Sequence, residues 1–538
     1  MRFTRRGFIE AGILAVGLAA LPSSGNAATG GFTHSVASGD PTADSIVLWT
    51  RYVAPNAGST ELLVELADDA RFARVVSRGR TVASVDTDFC AHAVPTGLRP
   101  GRWYFYRFTA PDGSRSPVGR TRTLPTGPLD RFKIGVFGCA NATSGWFTAY
   151  AHAAARGDLD LLIHTGDYIY ESPTDRSDAL AELALKRDIQ PRGEAVTIAD
   201  YRQRYASYRA DIGLADLHRR YPMIAMWDDH ETANNSWPGG AKNHGPNDGD
   251  WDVRKAAGVR AFREWLPTRA RDYDRYQIGD LATLFRLETR LVGRTRPLEL
   301  AAAVGLGGNI AETATAFRDG PLNDPARSMM GPVQERWLAD ALKASTAERT
   351  RWQVIAQQTV MAPMQLPPLS ALFGAQPPGP REQAESAIGA TLAKLGVPVA
   401  LDRWDGYPAA RRRLFAAASA TRANLVVLSG DSHNAWASEL GDTGRPLGIE
   451  LAGHSVSSLG LEKRFAGDPA KIASAFIDAN PALRWCDTSR RGYMVLDLER
   501  DRLTNEWLFL TSRSDAATTL LGSHKVTSPL GSQRLAKA

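Results

Sequence analysis

The chain has 538 residues, 43% of them hydrophobic and 23% charged, with a formal net charge of +6. Such length and apolar content exclude a disordered chain and exceed what one hydrophobic core holds, so two or more domains are expected. The positive charge is modest and not gathered into basic runs, which argues against nucleic acid as a partner and is compatible with an anionic substrate.

Residues 1–28 form a separate object. A basic start, an apolar stretch from Ile13 to Leu21 and small residues at Gly25 and Ala27 are the pattern of a cleavable export signal. Thr4-Arg5-Arg6-Gly7-Phe8 resembles the twin-arginine signal, which predicts contact with the twin-arginine (Tat) export machinery and a periplasmic or secreted location. The apolar stretch is too short to span a bilayer, so no stable membrane span is expected. The three cysteines, Cys90, Cys139 and Cys486, are an odd number, so at least one is unpaired.

From 32 to 127, short alternating stretches such as "SIVLWTR", "ELLVELAD" and "RWYFYRF" lie between Gly, Pro and Asp turns. They predict a small all-β antiparallel sandwich of the immunoglobulin/fibronectin-like kind. Tyr104, Tyr106 and Phe108 share one face there and read as core. From 128 to 530 the pattern becomes strands alternating with helices: "FKIGVFGCA", "LDLLIHTGD", "PMIAMWDDH", "RWQVIAQQT" and "ANLVVLSGD". That alternation predicts an α/β domain, and the hairpin pattern "GYMVLDLERDRLTNEWLFL" adds antiparallel strands to its sheet. Gln365 to Glu382 reads as a long mobile loop.

Four of these apolar strands end in chemistry: "GCAN" (Gly138 to Asn141), "TGDYIY" (Thr165 to Tyr170), "WDDHETANN" (Trp227 to Asn235) and "SGDSHNAW" (Ser429 to Trp436). Ligands of α/β sheets bind beyond the carboxyl ends of the strands. Cys, Asp, Tyr, His and Asn are the side chains that bind metals through sulfur, oxygen and nitrogen. A single such end is equally well a helix cap, but four together point to a site. A carboxylate can bridge two cations, which makes Asp167 the candidate shared ligand. Tyr170 must lose a proton of reference pKa near 10 to bind a metal, which favours Fe³⁺. A Cys139 thiolate also prefers a transition metal, whereas carboxylate and amide oxygens suit Ca²⁺ or Mg²⁺. The site therefore has an iron-like and a calcium-like side.

Taken in order, the four motifs resemble the alkaline phosphatase D (PhoD) family of the calcineurin-like and purple-acid-phosphatase-like metallophosphoesterases, over nearly the whole mature chain. The resemblance implies two packed mixed sheets flanked by helices, Fe³⁺ with one or two Ca²⁺, and hydrolysis of phosphate esters outside the cytoplasm. It places Cys139, Asp167, Tyr170 and His433 among the metal ligands, with Asp229 and Asp431. Asp229 stands where related enzymes usually carry asparagine, and either Asp228 or Asn235 completes the calcium shell. His230 resembles the phosphate-contacting histidine, so His230 and Asp229 are the candidate catalytic residues. His454, in "ELAGHSVSS", is a weaker candidate, and His164 reads as a buried structural histidine.

Metal-activated water can attack a phosphate ester without a protein nucleophile. Ser144, in "ANATSGW", lacks an activating neighbour. The chain thus reads as an exported, monomeric phosphatase for monoesters and, by extension, diesters. The alternatives are a phosphodiesterase or phospholipase D-like enzyme on the same scaffold, and a non-catalytic exported binding protein that keeps the metals. The leader carries its own test: Arg5→Lys with Arg6→Lys should leave folded protein inside the cell, measured by fractionation. Unchanged export would make the arginine pair incidental.

Overall fold

The computed structural model describes residues 30–537 except 55–57, 174–184, 186, 305–308, 374–378, 443–444, 466, 512 and 514. The predicted leader and the centre of the predicted loop at Gln365 to Glu382 therefore lie outside the described residues. Near that loop's start Leu369–Ala371 forms a short 3-10 turn.

Strands β1 (Gly31–Gly39), β2 (Val47–Val53), β3 (Ser59–Ala67), β4 (Val75–Ser84), β5 (Cys90–Ala93), β6 (Trp103–Thr109) and β7 (Gly119–Arg122) come first. β8 (Arg131–Phe137), β9 (Leu161–His164) and β10 (Pro222–Ala225) follow, with long helical connections after β9. Next come β11 (Asp274–Ile278), β12 (Ala282–Arg286), β13 (Trp352–Ala356), β14 (Leu425–Ser429), β15 (Ala435–Asp442), β16 (Arg445–Ala452) and β17 (Leu483–Asp487). β18 (Arg491–Glu499), β19 (Arg502–Leu510), β20 (Leu520–Pro529) and β21 (Ala536–Lys537) close the chain.

Two mixed sheets carry the architecture. One has ten strands in the order β21-β20-β19-β18-β8-β9-β10-β1-β2-β5, the other seven in the order β11-β12-β13-β14-β16-β15-β17. β8, β9 and β10 run parallel, as do β12, β13 and β14, because helices cross over between them. The expected hairpin is β18 against β19, paired from Arg491↔Leu510 to Leu498↔Leu503.

Period-2 alternation explains why these strands are apolar on both faces. Leu161 and Ile163 of β9, Ile224 of β10, Val354 of β13 and Val426 and Leu428 of β14 fill the space between the sheets. Leu162 and Met223 point the other way, into a second core with Tyr150, Tyr201 and Trp265 from the covering helices. Across the second sheet, Ile355 and Val427 meet Leu338 and Leu414 of the helices Gly331–Ala347 and Pro408–Thr421. The result is four layers: helices, sheet, sheet, helices.

The N-terminal sandwich packs a small sheet, β4-β3-β6-β7, against β1, β2 and β5, with Tyr104, Tyr106 and Phe108 in the core between them. β1 also pairs in parallel with β10 through Ser38↔Pro222 and Gly39↔Met223. One face of the sandwich is therefore the continuation of the ten-stranded sheet. Asp40, just past β1, is buried against Arg286 of β12 (3.1 Å) and the Tyr276 hydroxyl (2.8 Å), which fastens it to the other sheet as well. Among the described residues no helix is long and apolar enough to cross a membrane.

Candidate metal centre

Strand ends from both sheets meet at one place. β8, β9 and β10 lead into Cys139, Asp167 and the stretch Asp228–Glu231; β12 and β14 lead into Arg290 and Asp431. Glycine makes the meeting possible. A side chain at Gly138 or Gly430 would place its Cβ 2.5 Å or 2.6 Å from the Thr165 hydroxyl, and one at Gly166 would lie 2.6 Å from the Asp228 amide nitrogen. Past these glycines the chain turns sharply: Cys139, Asp167, Asp431, His433 and Asn235 all have positive φ, between 54° and 60°. Non-glycine residues rarely adopt that conformation, and its concentration here marks a constrained site.

The ligand atoms of Cys139, Asp167 and His433 lie within 4.8 Å of one another; so do those of Asp167, Asp229 and His230, and those of Asp228, Asp229 and Asp431. Asp167 and Asp229 each belong to two of these groups. The Tyr170 hydroxyl sits 2.9 Å from Asp167 Oδ2 and 3.1 Å from His433 Nε2. His433 Nδ1 donates to the Leu459 carbonyl at 2.6 Å, which fixes the ring and leaves Nε2 as the free ligand nitrogen. Asn235 reaches the cluster through its backbone N–H, which donates to Asp229 Oδ2 at 2.7 Å.

His230 is held from two sides. Its Nδ1 pairs with Glu171 Oε2 at 2.6 Å, and its ring stacks on Tyr170 with centroids 4.1 Å apart. Burial alone would lower its pKa, but Glu171, Asp229 and Asp167 outweigh that and hold it well above the ordinary histidine value. Glu231 joins two ligand loops: one oxygen accepts from the Tyr168 amide (2.7 Å), the other from the Asp228 amide (2.9 Å).

The charge pattern tests whether cations fit. Asp228, Asp229, Asp402 and Asp431 are gathered around one guanidinium, that of Arg290, and Asp167 lies beside Asp229. The guanidinium bonds Asp228, reaches Asp431 at 3.1 Å and Asp402 at 2.6 Å, and lies 3.8 Å from Asp229. Burial and the neighbouring Asp229, Asp402 and Asp167 push the Asp431 carboxyl up to about 6 against the pull of Arg290. Burial and Asp167 push Glu231 up to about 8. Burial, then Asp167, raises both the Cys139 thiol and the Tyr170 phenol well above their usual values. Asp229 Oδ1 is buried without a hydrogen-bond partner. Clustered acids with an orphaned carboxylate oxygen, set beside sulfur, phenol and imidazole, are a donor set that fits more than one cation.

Other residues singled out in the sequence stand elsewhere. His454 is buried with Nε2 on the Leu508 carbonyl (3.0 Å), and burial lowers its pKa to about 4. From its segment it is Ser458 that reaches the site, donating to the Tyr170 hydroxyl at 2.7 Å. His164 is buried against the Tyr150 hydroxyl at 2.8 Å. Ser144 engages its amide with the Asn141 carbonyl and its own carbonyl with Arg513. Arg290, Glu171, Glu231 and Ser458 were not legible as site residues. A signal for Arg290 exists, since "ATLFRLETR" is one more apolar strand that ends in a polar cluster.

A family model described as PhoD-like phosphatase matches residues 134–507, and one described as PhoD-like phosphatase, N-terminal domain, matches residues 19–125. Alkaline phosphatase D of Bacillus subtilis (strain 168) is 32% identical over 489 residues, 86% of this chain and 75% of that protein. A solved structure of PhoD covers 96% of this chain and 93% of its own, with a TM-score of 0.75 and 26% identity. A purple acid phosphatase from yellow lupin (Lupinus luteus) seeds has a TM-score of 0.54 at 13% identity, over 92% of this chain and 74% of that one, a likeness of fold.

The glycine constraint yields a prediction. Gly166→Ala must move the Asp228 loop and strain a backbone at φ 111°, so it should lose at least about 1 kcal/mol of stability. Denaturant unfolding measures that loss, and elemental analysis should show metal content falling with it. An alanine variant with wild-type stability and metal would mean that the close approach is dispensable.

Proposed function

Because the chain belongs to the PhoD-like phosphatase family, whose members are phosphoric ester hydrolases, we propose that this centre is a metal-dependent phosphatase site that hydrolyses phosphate monoesters and diesters with water as the nucleophile. The observation that carries this reading is the convergence of four carboxylates, a thiol, a phenol and two imidazoles in one cluster, with, among the described residues, the Arg290 guanidinium set against them. Cys139, Asp167, Tyr170 and His433 would hold Fe³⁺. Asp167, Asp229 and Asp431, with Asn235, would hold one or two Ca²⁺. Cations so bound supply Lewis acidity toward the phosphoryl oxygens and make water acidic enough to yield hydroxide near neutral pH.

The chain's own residues do the rest. Arg290 keeps Asp228 and Asp431 at fixed spacing, so the carboxylates do not spread apart under mutual repulsion. Glu171 engages His230 Nδ1 and leaves Nε2 to donate to a phosphoryl or leaving oxygen, with the imidazolium held protonated by its acidic surroundings. Ser458 and Asp167 fix the Tyr170 ring, and Glu231 keeps the Tyr168 and Asp228 backbones together. No step needs Ser144. The N-terminal Thr4-Arg5-Arg6-Gly7-Phe8 supports export by the twin-arginine route. The chain is then a monomeric, periplasmic or secreted enzyme, with a sandwich domain at 32–127 and a catalytic domain at 128–530.

Asp167→Asn keeps the size of a shared ligand and removes its charge. It should lose metal and at least about 10³-fold in turnover, roughly 4 kcal/mol of transition-state stabilisation; Ser144→Ala should stay near wild type, and chelators should silence the parent enzyme. Full metal and full turnover in Asp167→Asn would sink the reading. A visible charge-transfer band that Tyr170→Phe removes should accompany bound iron. An active, colourless, iron-free preparation would overturn the iron assignment alone.

A further inference from the structure

Beside the metal centre lies a cavity of about 860 Å³. It is near the upper end of the roughly 300–1,000 Å³ common for small-molecule sites. Its wall includes Asp431 and Asp402, both bonded to Arg290, so the cavity opens directly on the acidic cluster. The loop that carries the ligands serves both spaces: Asp431 and His433 join the cluster, while Ser432, Asn434 and Trp436 line the cavity. The Trp436 indole N–H is already taken by Ser432 Oγ at 2.8 Å, so the ring offers only apolar surface.

The rest of the lining is mostly apolar and comes from distant segments, with Gln365, Arg403 and Arg464 as its further polar members. Met364 and Leu366 contribute from the stretch after β13, and Ile388 and Leu392 from the helix Pro380–Lys394. None of these four apolar residues has a task in the chemistry proposed above. An ester whose phosphorus sits at the metal centre must direct one of its alcohol components somewhere, and the neighbouring space is this one. A polyol there would face mostly aliphatic wall, and each hydroxyl left without a replacement hydrogen bond costs roughly tenfold in affinity. We propose that the cavity is the specificity pocket of the enzyme, and that the substrates are phosphate esters of a large apolar alcohol. The inference rests on the phosphatase reading and names the substrate class of that site.

The test uses two series with the purified, metal-loaded full chain, each below its aggregation concentration. The first is n-butyl, n-hexyl and n-octyl p-nitrophenyl phosphate. In these diesters the water oxygen bonds to phosphorus, the P–O bond to nitrophenol breaks with its electron pair on nitrophenolate, and the proton goes to solvent. The leaving group is then constant while the arm varies. The second is the matching n-alkyl phosphates, read as inorganic phosphate. In at least one series kcat/KM should rise roughly threefold per added methylene. Ile388→Asp and Leu366→Asp, on separate segments and both half-buried, should each cut the octyl-to-butyl ratio by at least about tenfold. That ratio is internal to one preparation and is unaffected by a misfolded fraction.

A flat chain-length profile in both series overturns the pocket proposal, as does an unchanged ratio in the variants, or turnover of p-nitrophenyl phosphate with none of either series. Release of neither nitrophenol nor phosphate from any ester, p-nitrophenyl phosphate included, removes the hydrolase reading itself and the pocket proposal with it.

Discussion

The site depends on how closely the strand ends can approach. Thr165 stands between Gly138 and Gly430, one from each sheet, and Gly166 lies against Asp228. A Cβ at Gly138, Gly430 or Gly166 would lie 2.5, 2.6 or 2.4 Å from its nearest neighbour, so the packed segments would have to shift and the carboxylates they carry would no longer be held at shared-ion spacing. The glycines do not bind anything. They set the distances at which Cys139, Asp167 and Asp431, each the next residue along, present their side chains. Five residues of the site then sit in the left-handed region, a cost of order 1 kcal/mol or more apiece. Such strain persists only where the surroundings over-determine the backbone, and the surroundings here are strands buried on both faces.

Electrostatics adds a second constraint that the fold cannot resolve by itself. Asp228, Asp229 and Asp431 share one guanidinium with Asp167 close beside them, and burying unpaired charge is costly enough that such groups either protonate or find a counter-ion. Arg290 answers part of the demand and also holds Asp402, which in turn is held by Arg294. The remainder is a standing attraction for cations. Rigidity and charge excess thus work together, because a cluster free to relax would spread its acids into solvent.

Much of this was legible from residues. A strand buried on both faces announces itself as a continuous apolar run, and "LLIHTGD", "PMIAMWDDH" and "ANLVVLSGD" each end in the polar residues that the structure brings together. The sandwich was legible from its alternation. The continuity of its sheet with the catalytic sheet was not, because the pairing of β1 with β10 joins residues about 180 positions apart and leaves no periodic trace in either strand. Arg290 was obscured because an arginine after a strand is common, and only the third dimension shows four acids around it. Glu171 and Glu231 closed quoted motifs but serve them indirectly, one by holding an imidazole and the other by tying two backbones. Ser458 and His454 show the limit of motif reading, since the segment was relevant and a different residue carried the contact.

The loop from Asp431 to Trp436 connects these levels. Asp431 and His433 of this loop join the cluster, while Ser432, Asn434 and Trp436 line the cavity, which Asp431 also borders. A change in the loop's register against its neighbours would therefore disturb both surfaces at once. Gly430 and the antiparallel pairing of β15 with β16 and β17 hold that register from either end. The position of the metal ligands and the shape of the neighbouring cavity are consequently not independent features: a single stretch of backbone sets both, so a change that moves one wall of the cavity also moves a carboxylate of the cluster.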